Sequence, residues 1–79
     1  MLEEYLVLSN GYFMKISLRY GERYSLSLRD RKNLLVEYKG NGKKHLRSLR
    51  GRDSAYEFKS VEKLRYDFER DAEDAQRQG

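Results

Sequence analysis

The sequence predicts an α+β fold, a four- to five-stranded antiparallel β-meander followed by one C-terminal α-helix packed on one sheet face. Residues up to about Phe58 alternate apolar and polar with period two, while residues from Val61 onward recur at spacings of three and four. Turn signals containing glycine separate the apolar runs of the first stretch. Residues 1-79 read as a single domain, with strands within 2-58 and the helix over about 61-76.

The first strand is the run ending in Leu6-Val7-Leu8, and Asn10-Gly11 before Tyr12-Phe13-Met14 is a hairpin signal, because both turn residues tolerate positive φ. A two-residue turn there sets Tyr5 and Val7 beside Ile16 and Met14 on the core face and leaves Leu6, Leu8 and Phe13 on the other. The second strand alternates Tyr12, Met14, Ile16, Leu18 and Tyr20 against Phe13, Lys15, Ser17 and Arg19. In the third, Tyr24, Leu26 and Leu28 face inward. A two-residue Gly21-Glu22 loop would pair Leu18 with Ser25 and misplace the core, so an odd-length loop with a glycine bulge is required.

A fourth strand runs over Leu34 to Lys39, with Leu34, Val36 and Tyr38 inward, and ends at Gly40-Asn41-Gly42. A fifth extended segment falls around His45 to Arg50, and Ala55 to Phe58 is either a short strand or the approach to the helix. Ser60 is suited to cap that helix, and Val61, Leu64, Phe68, Ala72 and Ala75 form its apolar stripe. Asp67, Asp71 and Asp74 read as a solvated acidic stripe on it.

Seventeen Lys/Arg against thirteen Asp/Glu give a net charge of +4, unevenly placed: thirteen against seven through Lys59, four against six after it. The absence of cysteine excludes a disulfide framework and thiolate chemistry and suits a cytoplasmic location. Met1 to Leu8 carries Glu3 and Glu4 and has no basic start, unlike an export signal or membrane span. His45, the single histidine, reads as an exposed loop residue among Lys43, Lys44 and Arg47. No nucleophile elbow, phosphate loop or metal-ligand set occurs, so no enzymatic activity, metal or other cofactor is expected.

A binding function fits instead. Lys15, Arg19, Arg23 and Arg29, with serines between them and no acid, form the outward face of the second and third strands. Such a face suits phosphate, with Lys43, Lys44, Arg47 and Arg50 extending the track and Phe13 stacking on a base. The expectation is therefore a non-enzymatic nucleic-acid-binding protein. The alternative is a small inhibitor or adaptor that binds an acidic protein or ribonucleoprotein surface, with Tyr66 and Phe13 as anchors and the acidic helix contributing. A homodimer through Leu6, Leu8 and Phe13 is a further expectation. The layout, strands followed by one helix, is similar to that of the PUR repeats of single-stranded nucleic-acid binders and of some small phage-encoded anti-CRISPR inhibitors. That resemblance is one of architecture and implies no individual site residue.

Overall fold

A computed structural model describes Met1 to Leu8 and Asn10 to Gln78. Six strands, β1 (Leu2–Val7), β2 (Phe13–Arg19), β3 (Arg23–Arg29), β4 (Leu34–Asn41), β5 (His45–Leu49) and β6 (Arg52–Ala55), form one antiparallel sheet in chain order. Among the described residues they precede a single helix, α1 (Val61–Gln78). The architecture is α+β as the periodicity implies, with six strands instead of four or five. The additional strand is β6, whose four residues are all exposed and carry no apolar alternation. It exists because Arg50 and Gly51 both adopt positive φ (49° and 85°) and close a two-residue hairpin that pairs Leu49 with Arg52.

The β2–β3 register agrees with the parity argument. Leu18 pairs with Tyr24 and Arg19 with Arg23 across a three-residue connection in which Gly21 and Glu22 are left-handed. The β1–β2 register differs from the two-residue turn. Leu8 N–H donates to Tyr12 C=O, and Val7 pairs with Phe13, so the connection has odd length. One residue of slip exchanges the faces of the whole strand. Leu6 therefore lies opposite Met14 on the helix-covered side and Leu8 packs on the core, whereas Tyr5 and Val7 turn outward beside Phe13. A bulge between Leu28 and Arg29 corrects a second expectation: Leu35 joins Val36 in the core and Leu34 is left partly exposed. Tyr20, expected inward, sits in the β2–β3 connection and is among the most exposed side chains.

Ser60 caps α1 by accepting the Lys63 N–H at 3.1 Å. Leu64, Phe68, Ala72 and Ala75 are buried against Leu26, Leu28, Val36 and Tyr38, and the helix lies over β4 and β5. Val61, at the start of the stripe, is exposed. Leu2 and Leu6, at the far edge of that face, also stay substantially exposed.

Tyr24, His45 and Phe58 stack with ring centroids 5.4–5.6 Å apart, covering Gly40, which pairs with both Tyr24 and His45 across the sheet. His45 is thus a packed residue of β5 and not an exposed loop histidine. Its Nδ1 lies 2.8 Å from the Tyr24 hydroxyl, and its Nε2 is 3.5 Å from Glu22. A Cβ at Gly40 would collide with the Tyr24 ring and with His45 Nδ1. Gly40→Ala is expected to destabilise the fold by about 1–3 kcal/mol, read as a lower denaturant midpoint with unchanged slope.

Candidate nucleic-acid interface

One helix covers one side of the sheet and leaves the other open, and the registers fix which side chains share that open face. Reading across β1 to β4, one row runs Val7, Phe13, Arg29 and Leu34, and the next Tyr5, Lys15, Ser27 and Glu37. A third runs Glu3, Ser17, Ser25 and Lys39, and the last holds Arg19, Arg23 and Asn41. Lys15, Arg19, Arg23 and Arg29 are all exposed, and among the described residues none of them forms a salt bridge. Arg19 and Arg23 are directly opposite each other, a like-charge pairing that works against the sheet. Two acids border the basic strip: Glu3 on β1, and Glu37 on β4, 3.7 Å from Lys39.

The face is not flat. A hollow of about 560 Å3 is bordered by Glu3, Lys15, Ser17, Arg19 and Arg23. It shares Tyr24, Ser25, Gly40 and Asn41 with a second of about 730 Å3 that reaches Lys39, Leu46, Ala55 and the Lys43-Lys44 turn. The turn is held by the Asn41 carboxamide oxygen, which accepts the N–H groups of Lys43 and Lys44 at 3.1 and 2.9 Å. Both lysines are exposed there. At the other end of the strip a hollow of about 220 Å3 has Tyr5, Val7, Phe13, Lys15 and Arg29 in its walls. Its aromatic rings are exposed, Tyr5 by 69% and Phe13 by 43%, and Lys15 Nζ sits 5.6 Å from the Tyr5 ring centroid.

The structure thus brings Phe13, Lys15, Arg19, Arg23, Arg29, Lys43 and Lys44 onto or beside one surface. It sets Arg47 and Arg50 elsewhere. Arg47 lies on the helix side of β5, where Nε and Nη2 donate to the two carboxylate oxygens of Asp71 at 2.8 and 3.0 Å. Arg50 donates to the Ala75 carbonyl near the end of α1, 3.3 Å away. Tyr66 is exposed on the helix between Lys63 and Arg70, each within 6 Å of its ring, on the covered side of the sheet. Tyr5 and Lys39 are the additions. The signal for Tyr5 was the parity of the Leu8–Tyr12 connection, because an odd-length turn puts its ring beside Lys15.

The acidic stripe of α1 is mostly not a stripe in solvent. Asp67 and Asp71 are buried. Asp67 accepts from the Tyr56 hydroxyl and the Lys63 ammonium, both at 2.7 Å, and Asp71 accepts from Arg47 and from the Tyr38 hydroxyl. Asp74 alone of the three is exposed. These contacts serve the fold: every buried acid has cationic and hydroxyl donors, which is what makes its burial tolerable.

Burial by itself raises the Asp67 pKa, but the Lys63 and Tyr56 hydrogen bonds outweigh it and hold the carboxyl below its usual value. A depressed folded-state pKa contributes stability above the ordinary carboxylate range that is lost as pH falls through it. On the alkaline side, burial and then Glu22 push the Tyr24 phenol up to about 12. Burial and the carboxylates of Asp71 and Asp67 raise Tyr38 and Tyr56 likewise. Those phenols stabilise the fold below the ordinary tyrosine pKa and progressively less above it. Thermal unfolding followed across pH is therefore expected to show a broad neutral plateau, falling below about pH 4 and above about pH 10.

Among the described residues no group of three or more His, Cys, Asp or Glu could hold a metal ion, and no helix is long and apolar enough to cross a membrane. No protein-family model, curated protein or solved structure matches the chain.

Proposed function

We propose that the protein acts by binding, without catalysis, and that its ligand is single-stranded nucleic acid laid across the open face of the sheet. The observation that carries this reading is the opposed pair Arg19 and Arg23, neither in a salt bridge among the described residues, in a strip with Lys15 and Arg29. A sheet gains nothing from setting two arginines against each other, whereas a polyanion passing over them is neutralised by both. The half-buried Ser25 and Ser27 hydroxyls between the cations offer short hydrogen bonds to phosphate oxygens. Tyr5 and Phe13, exposed at the end of the strip, offer ring faces to unpaired bases, which a duplex does not present. Lys43 and Lys44 extend the track beyond Asn41.

A protein or ribonucleoprotein target would be met by the same arginines. The acidic helix that favoured such a target has two of its three aspartates, Asp67 and Asp71, bonded inside the fold, so the nucleic-acid reading is preferred.

Fluorescence anisotropy with a labelled oligonucleotide tests the proposal. Tyr5→Ala combined with Phe13→Ala is expected to weaken single-strand binding by about 30-fold or more, since each base–aromatic stack is worth ~1–3 kcal/mol, and to leave weaker duplex binding nearly unchanged. Equal losses on both substrates, or tighter duplex binding by the unaltered protein, would overturn the single-strand assignment.

A further inference from the structure

We infer that two copies of the chain pair through their β1 edges, antiparallel and centred on Tyr5, into one continuous sheet. The two outer strands are differently built. β6 is four residues, Arg52 to Ala55, carrying charges of both signs, the usual form of an edge protected against pairing. β1 has six residues, with Leu2, Tyr5, Leu6 and Val7 all exposed and Phe13 exposed beside them. It has no proline and no lysine.

The main chain of β1 is also set for it. Leu8 N–H bonds to Tyr12 C=O, and the register continues unbroken to Leu2 opposite Leu18. Alternation then directs the peptide groups of Leu6, Glu4 and Leu2 toward β2 and those of Val7, Tyr5 and Glu3 away from the sheet. An antiparallel copy centred on Tyr5 meets the latter three in full: Tyr5 opposite the partner's Tyr5, Glu3 opposite the partner's Val7, and Val7 opposite the partner's Glu3. Each pair exchanges both hydrogen bonds.

Charge disfavours one neighbouring register. Centring on Tyr5 sets Glu4 opposite the partner's Leu6, whereas a shift toward the N-terminus centres on Glu4 and opposes two carboxylates. On the helix side the favoured register joins Leu18, Leu2, the partner's Leu8 and the partner's Tyr12 into one apolar row, covering Leu2, which is exposed at the sheet edge in the single chain. The two-fold axis runs perpendicular to the sheet, so the contact is isologous and closes at two copies. Both open faces look the same way. The inference does not rest on the nucleic-acid reading, and its test uses protein freed of nucleic acid.

Sedimentation equilibrium of the full chain is expected to give twice the 9.5 kDa chain mass at high concentration. Tyr5→Pro removes an N–H that the internal ladder does not use and is expected to halve that mass with an unchanged circular-dichroism spectrum. A second variant keeps the test decisive if the proline perturbs folding. Because the chain has no cysteine, Tyr5→Cys places one thiol opposite its symmetry mate at about 5.5 Å between Cα atoms, within disulfide reach, while Val7→Cys places them too far apart. Mild oxidation should cross-link the first and not the second. Monomer at every concentration would overturn the inference. So would equal cross-linking of both variants, or a mass that keeps growing as β1 pairs with β6 of the next copy.

Discussion

Asp71→Ala is expected to cost the fold about 3–5 kcal/mol, measured as the loss of unfolding free energy in denaturant. Asp71 is buried in the middle of the helix face that meets the sheet, and its carboxylate is the common acceptor for both ends of the Arg47 fork and for the Tyr38 hydroxyl. Removing it leaves a guanidinium two-thirds withdrawn from solvent, and a phenol almost wholly so, without a partner. A domain of this size has a total stability of roughly 4–12 kcal/mol, so the loss is a large share of it. Asp74→Ala, three residues on and exposed, is expected to stay within about 0.5 kcal/mol of the parent protein. Equal, small effects at the two positions would show that the Tyr38–Asp71–Arg47 cluster does not hold the helix to the sheet.

Reversing Arg19 and Arg23 together to glutamate is expected to lower affinity for a single-stranded oligonucleotide by about 100-fold at low salt. It should also reduce the slope of log affinity against log salt by roughly 0.7 for each lost phosphate contact. The single change Arg19→Glu separates binding from stability. It replaces a like-charge cross-strand pair with an opposite-charge one, so the fold should gain about 0.2–1 kcal/mol while binding weakens. A substitution that improves the sheet and impairs the ligand is what is expected where local stability has been given up for function. If Arg19→Glu weakened both, the loss of binding would be attributable to the fold.

Much of the fold was legible because it depends on local pattern. The β2 and β3 alternations required an odd connection at Gly21, and Ser60 before the Val61–Leu64–Phe68 spacing marked the helix start. The basic strip was legible for the same reason, since Lys15, Arg19, Arg23 and Arg29 alternate with core residues on two strands whose pairing was fixed. The face of β1 was not, because Asn10-Gly11 suits turns of more than one length and a single residue of slip exchanges Leu6 for Tyr5. β6 lacks periodicity of its own and depends on the left-handed Arg50-Gly51 turn.

Asp71 carried a signal that charge alone concealed. It lies seven residues after Leu64 and three after Phe68, at the centre of the apolar stripe, where an acid must find donors. Arg47 supplies them from the inner face of β5, and was therefore unavailable to the basic surface to which its sequence neighbours belong. Arg50 was diverted likewise by the end of the helix.

The salt dependence of single-strand binding bears most directly on the open face as a polyanion surface. Anisotropy titrations of the unaltered protein at several salt concentrations should give affinity that falls steeply with salt, with a slope near −3 if Lys15, Arg19, Arg23 and Arg29 each meet one phosphate at roughly 0.7 apiece. No binding at low salt, or a slope indifferent to the reversal of Arg19 and Arg23, would contradict the account.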